Sequence, residues 1–174
     1  GLGGFVVGLS EVEVFGLVLQ SCFQALWPLS ARLRRSAEMR CVLKVSPRVN
    51  DRDLHALFAS AWPGYRAVRM QRLLKCALVY VCAYEGRRLI GFGKIIGDGG
   101  VHGFLLDPTV APDCRRKGIG RRVVTRCLKE ARRLGVEWVH VDYEPRLRAF
   151  YRRCGFHFTE AGLVNLKSKH RTGR

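Results

Sequence analysis

The stretch Thr109-Val110-Ala111-Pro112-Asp113-Cys114-Arg115-Arg116-Lys117-Gly118-Ile119-Gly120-Arg121-Arg122-Val123-Val124 decides how the whole chain is read. Leu105 to Val110 has the composition of a strand, and Gly118 to Leu134 that of a long helix with an apolar stripe of Val123, Val124, Cys127, Leu128, Ala131 and Leu134. A strand feeding a glycine turn at a helix N-terminus leaves unpaired N–H groups aimed at one point, where the helix dipole adds about half a positive charge. Gly118 and Gly120 lack the Cβ that would hold a ligand's oxygens away from those amides, and the basic residues add attraction. The turn reads as a seat for a pyrophosphate. The Walker string and the Rossmann G-x-G-x-x-G are both absent, leaving R-x-x-G-x-G. That string also makes ordinary solvated turns, so its neighbours must decide.

Working outward, Met39 to Val45 alternates apolar residues and predicts a strand with one buried face. Asn50-Asp51-Arg52-Asp53 supplies a helix cap with an acid three residues on, so a helix is expected from Asn50 to about Ala61, broken by Pro63-Gly64. Val68, Leu73 and Leu74 suggest a second short helix. Leu78 to Tyr84 and Leu89 to Ile96 read as an antiparallel hairpin, and Val101 to Val110 as the next strand. Beyond the long helix, which Gly135 stops, the chain predicts a strand from Val136 to Tyr143, a short helix from Pro145 to Cys154 capped by Gly155, and one or two closing strands between Phe156 and Leu166. This order specifies an α/β domain: one sheet of mixed direction with helices on both faces.

With 174 residues the chain has room for about one domain at roughly 150 residues each. Its formal charge of +17, with 48% hydrophobic residues, describes a folded protein suited to anionic partners rather than a disordered basic tail. The seven cysteines form no C-x-x-C pair and no zinc spacing with histidine, so neither a disulfide framework nor a metal site is expected, and reduced thiols suit a cytoplasmic setting. Residues 1–38 carry Arg32, Arg34 and Arg35 against Glu11, Glu13 and Glu38, which places the whole net charge in the remainder. The apolar run Val14 to Leu29 is short of the roughly 20 residues a membrane span needs. Its acidic residues precede it and its basic residues follow, the reverse of a signal peptide. The expectation is an N-terminal extension over 1–38 with Met39 as the natural start, a domain over 39–170 and a basic tail over 171–174.

Two motifs in order, the Thr109 to Val124 run and Leu147-Arg148-Ala149-Phe150-Tyr151-Arg152-Arg153-Cys154-Gly155-Phe156, resemble the GNAT superfamily of acetyl-CoA-dependent N-acetyltransferases. The resemblance covers residues 78–166, and the element order extends it back to Met39. It implies a single-domain, mostly antiparallel mixed sheet flanked by helices, acetyl-CoA as co-substrate and no metal. It further implies that backbone amides of Arg115, Arg116, Lys117, Gly118, Ile119 and Gly120 hold the CoA pyrophosphate. The strand around Leu106, Thr109 and Val110 would pair with the pantetheine arm, in a splay between it and the Val136 to Tyr143 strand. Tyr151 matches the tyrosine that protonates the departing thiolate, although an aromatic packing residue is the plain alternative.

An amine arriving protonated must lose a proton before it attacks, so a base is required. Asp107, Asp142, Glu144, His102 and His140 all qualify by residue type. Glu144, standing where the family often has an asparagine that contacts CoA, is preferred, with Asp107 second. Cys114 and Cys154 are expected to pack rather than to react, and transfer is expected to be direct within a ternary complex. The acceptor is a small-molecule or peptide amine. Basic residues along the long helix admit nucleic acid as a partner, but no recognised nucleic-acid module supports it. A non-catalytic basic binding module on the same fold is therefore the competing reading, and a homodimer is compatible with either.

Overall fold

The computed structural model describes residues 41–166. The proposed extension over 1–38, Met39 and the basic tail lie outside the described residues. In chain order the elements are β1 (Cys41–Val45), α1 (Asp51–Ala61), α2 (Met70–Lys75), β2 (Val79–Glu85), β3 (Arg88–Gly97), β4 (His102–Val110), α3 (Ile119–Arg133), β5 (Trp138–His140) and α4 (Arg148–Arg153). Single 3-10 turns at Pro112–Cys114 and Pro145–Leu147 precede α3 and α4.

The five strands form one sheet in sequential order, antiparallel from β1 to β4 and parallel between β4 and β5. Asn50 caps α1 as its sequence predicts: its Oδ1 accepts the Asp53 N–H at 2.8 Å, and its Nδ2 donates to the Asp53 carboxylate at 3.0 Å. Two helices cover opposite faces, and β3 shows how. A Cβ on Gly91 would stand 3.2 Å from Ile119 Cγ2, and one on Gly93 3.1 Å from Val123 Cγ1, so odd-numbered positions face α3. Phe92 points the other way, its ring 5.7 Å from that of Phe58 on α1. Buried Ile119, Val123, Val124, Cys127 and Ala131 form the α3 contact. Leu128 is only half-buried, and Leu134 is exposed because it caps the helix just before the left-handed Gly135.

The carboxyl-terminal third departs from expectation. The strand predicted over Val136 to Tyr143 contracts to Trp138–His140, since only those residues meet β4. The helix predicted over Pro145 to Cys154 divides into a 3-10 turn and the six-residue α4. Residues 156–166 contain no strand: Leu163 and Leu166 are 90% exposed there and find no surface to pack on among the described residues.

Because Val123 and Cys127 of α3 pack their side chains directly onto Gly93, Gly93→Val inserts a branched side chain where one carbon is already tight. The expected cost is about 1–3 kcal/mol, read as a lower urea midpoint with an unchanged slope.

Candidate active site

β4 and β5 pair at His102↔Trp138, Gly103↔Val139 and Phe104↔His140, and no further. From Leu105 onward the outer edge of β4 has no strand beside it among the described residues, so the two strands part. A bulge in β4 coincides with this parting: Phe92 faces Thr109 and Lys94 faces Leu106, so Gly93 opposes both Asp107 and Pro108. Bulges bend a strand and terminate pairing. Asp107 takes φ 55°, a left-handed conformation that aspartate tolerates better than most residues.

Three contacts fix the bulge. Lys94 Nζ, 5% exposed and in the middle of an apolar strand, meets Asp107 Oδ2 at 2.6 Å. Thr109 Oγ1 donates to the Asp107 carbonyl at 3.0 Å, and the Trp62 indole N–H donates to Thr109 Oγ1 at 3.0 Å. Trp62 in turn belongs to an aromatic cluster with Phe58, itself against Tyr65 and Phe92. The α1 side of the sheet is therefore rigid where β4 kinks.

At the end of β4 the chain enters the glycine turn. Arg116 (φ 63°) and Gly118 (φ 77°) are both left-handed, which directs successive amides to one side of the loop. The first helical bond is donated by Arg122 N–H to the Gly118 carbonyl at 3.1 Å, so the Ile119, Gly120 and Arg121 amides precede the helical ladder. No side chain caps this end. Nothing stands within 4 Å of a Cβ at Gly118, so its requirement is the left-handed backbone, whereas a Cβ at Gly120 would meet Phe150 and Val110 at an ordinary 3.5 Å.

The Arg115 side chain, exposed like its neighbours, folds back to donate to the carbonyls of Val110 at 3.3 Å and Ala61 at 3.2 Å, and so braces the turn against α1. Arg116 and Lys117 are exposed. Arg88 grips Asp113 with two bonds of 2.7 and 2.9 Å, which draws that carboxyl down to about 2. The sign follows: this brace is intact above the ordinary carboxylate range and is lost as pH falls through the depressed value.

Tyr151 lies on α4, 5% exposed, stacked on Tyr143 at 4.6 Å and edge-on to Phe150 and Phe156 at 5.0 and 5.7 Å. Burial pushes its phenol up to about 12, with Cys154, Tyr143 and Asp142 adding to the rise. The hydroxyl therefore keeps its proton, and among the described residues no side chain or carbonyl takes it as a hydrogen bond.

A family model described as the acetyltransferase (GNAT) family matches residues 51–156. The chain belongs to the GNAT acetyltransferase family. Among curated relatives it is 36% identical over 108 residues to serotonin N-acetyltransferase 2, chloroplastic, of Oryza sativa subsp. japonica, covering 59% of this chain and 54% of that protein. It is 40% identical over 63 residues to a protein of the same organism named "Probable glucosamine 6-phosphate N-acetyltransferase 2", covering 36% of this chain and 38% of that one. The chain thus spans about half the length, or less, of the curated relatives it matches. Its fold is that of an aminoglycoside acetyltransferase, AAC(6')-Iy, solved with a CoA bisubstrate analogue, with a TM-score of 0.62 at 16% identity over 75% of this chain and 99% of that one.

Within this GNAT chain the predicted site residues fall into two groups. Leu106, Thr109, Val110 and residues 115–120 follow one another along the freed β4 edge and around the turn, and α4, which carries Tyr151, sets its Phe150 ring beside Gly120. The two preferred bases are already engaged: Asp107 with Lys94, and Glu144 with Arg146 on an exposed turn. Cys114 and Cys154 are buried, which raises both thiols and suits them to packing. Sequence reasoning passed over Lys94, although one lysine inside Gly91-Phe92-Gly93-Lys94-Ile95-Ile96 is itself a signal of a paired buried charge. It also left the Trp62 to Thr109 bond unseen, since 47 residues separate the partners.

Asp107→Asn leaves the Lys94 ammonium without its counter-charge. The variant should lose about 3 kcal/mol of stability, and adding Lys94→Met should restore most of it in the same denaturation assay.

Proposed function

We propose that this chain transfers the acetyl group of acetyl-CoA to a primary amine, by direct attack within a ternary complex. The observation that carries the reading is the junction of two features in one strip: a β4 edge without a strand partner, and the left-handed turn whose amides precede the α3 ladder. Extended amide groups of a pantetheine arm suit an open strand edge by adding to it as a strand would. A pyrophosphate suits converging N–H groups at a helix N-terminus. The Arg116 and Lys117 side chains, free at the mouth of the turn, add attraction for phosphate.

The chemistry follows from the same geometry. The amine nitrogen attacks the thioester carbon, the C–S bond breaks, and its electron pair leaves on sulfur. A thiolate has an ordinary conjugate acid near 8.5, well below the buried Tyr151 phenol. Tyr151 therefore serves first as a hydrogen-bond donor that stabilises the developing charge, and gives up its proton as the sulfur, leaving in the same dry surroundings, becomes more basic than it is in water. The relatives' names support amines of modest size as acceptors, an arylalkylamine or an amino sugar phosphate, and a lysine side chain offers the same nucleophile. The exposed arginines of α3 act as a solvated face, and no feature of the described residues favours a binding module without catalysis.

Acetyl-CoA binding by calorimetry, followed by free-thiol release with tryptamine, glucosamine 6-phosphate, spermidine and a lysine peptide, tests this reading. Gly118→Val forces a branched residue into a left-handed conformation, a strain of about 1–3 kcal/mol, and acetyl-CoA affinity should fall about tenfold or more. Gly120→Ala, with room for its Cβ, should keep wild-type stability. Tyr151→Phe should slow turnover at least about tenfold while leaving acetyl-CoA affinity unchanged. Because the phenol is raised, wild-type activity should show no loss from Tyr151 ionisation at any pH below about 11, and an alkaline loss near neutrality that disappears in Tyr151→Phe would contradict this.

A further inference from the structure

The α1 face of the sheet carries a pair of groups that the functional reading leaves unused. His102 Nδ1 and His140 Nε2 stand 2.9 Å apart, their rings stacked at 5.1 Å, with Phe104 stacked on His140 at 5.0 Å. His102 and Phe104 lie on β4 and His140 on β5, and Phe104↔His140 is the last pair before the strands part. The alternation is fixed by Gly103, whose Cβ would meet Ile95 and Val136 on the α3 face, so its neighbours 102 and 104 point to the α1 face. His140 pairs with Phe104 and shares that face. Tyr143, three residues on, stacks instead on Tyr151. The opening between β4 and β5 is thus flanked by a phenol on one side of the sheet and an imidazole pair on the other.

We propose that His140, at the apex of the strand opening and hydrogen-bonded to His102, accepts the proton of the acceptor amine, with His102 as the positioning residue that carries the proton onward to solvent. The inference rests on the acetyl-transfer reading and supplies its missing base.

The bond between the rings dictates the proton inventory. One hydrogen bridges Nδ1 of His102 and Nε2 of His140. If both rings are neutral, one of the two outward nitrogens carries a hydrogen and the other has a free lone pair, whichever way the bridge points. With His140 Nε2 as the bridging donor, His140 Nδ1 is free to accept. The ammonium gives its proton to that nitrogen, and the bridging hydrogen passes to His102 Nδ1. His102 then releases its Nε2 hydrogen to water, leaving the pair neutral in the other tautomer; before the next turnover His140 Nδ1 gives its hydrogen to water, the bridging hydrogen returns to His140 Nε2, and His102 Nε2 takes a proton from water, which restores the starting pair. The amine, now holding its lone pair, attacks from the α1 side while the sulfur leaves toward Tyr151.

The charged groups around the pair are accounted for. Asp98, in the turn between β3 and β4, accepts the Gly100 backbone N–H at 2.7 Å and the His102 backbone N–H at 3.2 Å, and these bonds hold its carboxyl low. Lys94 of β3 is neutralised by Asp107 of β4. Asp142 follows His140 by two residues and is exposed. Neither preferred carboxylate needs to leave its partner on this account.

The test compares wild type, His140→Asn, His102→Asn and the double variant by acetyl-CoA calorimetry and by free-thiol release with the same four amines. His140→Asn should lower kcat about 100-fold with acetyl-CoA affinity unchanged. His102→Asn should lower kcat less, with KM for the amine unchanged, and the double variant should be no worse than His140→Asn. Added imidazole should restore part of the His140→Asn rate. Unchanged kcat in a His140→Asn protein that binds acetyl-CoA would overturn the proposal while sparing the functional reading. A wild type that neither binds acetyl-CoA nor releases thiol would overturn both. Long-range proton–nitrogen spectra of the unmodified protein provide a check independent of folding: two complementary tautomers are expected, with one hydrogen on the bridge, and a pair without a bridging hydrogen would contradict the proposal.

Discussion

The site depends on β4 leaving β5 after three residue pairs. Backbone N–H and C=O groups at the depth of a sheet need partners, so a strand that gives up its neighbour must gain something in exchange. Here the bulge at Asp107–Pro108 turns the strand, and Lys94 holds that turn from within the core through a 2.6 Å ion pair. A buried ammonium is tolerable only with its counter-charge. The kink, the buried lysine and the open edge therefore form one arrangement, and removing any member removes the reason for the others.

Strand alternation then distributes the chemistry. Before the bulge Gly103 turns toward α3 while His102, Phe104 and His140 gather on the opposite face; the bulge inverts the alternation, so Thr109 meets Trp62 on the α1 side, and past the end of β5 Tyr143 stacks on Tyr151. On the proposed reading, a thioester lying between the strands has Tyr151 as the proton donor for sulfur and His140 as the acceptor for the amine proton. The glycine turn sits at the far end of the same strand, so the β4 segment that carries the open edge also delivers the chain to the amides at the mouth of α3.

Much of this was legible before any coordinates. The glycine turn, the Asn50 cap, the hairpin of β2 and β3 and the α3 stripe are local patterns, in which the residues that interact lie within a few positions of one another. Tyr151 was legible through its motif, and its burial against Phe150 and Phe156 agrees with the packing alternative as well as with the catalytic one. What the chain did not disclose was non-local. Whether Asp107 is a free carboxylate depends on Lys94 across the sheet, and whether two distant histidines form one unit depends on the register of β4 with β5. The length of β5 and the absence of strands in 156–166 have the same origin, since β-propensity in a short segment becomes a strand only where a partner edge is available.

The most direct measurement of the central claim is an amide-resolved titration of the nitrogen-15-labelled protein with acetyl-CoA. The account predicts that the amides of Arg116 to Arg121 and of the β4 edge from Leu105 to Val110 move together and saturate at one stoichiometric equivalent. Saturable binding that perturbs other surfaces while these amides stay fixed would contradict it.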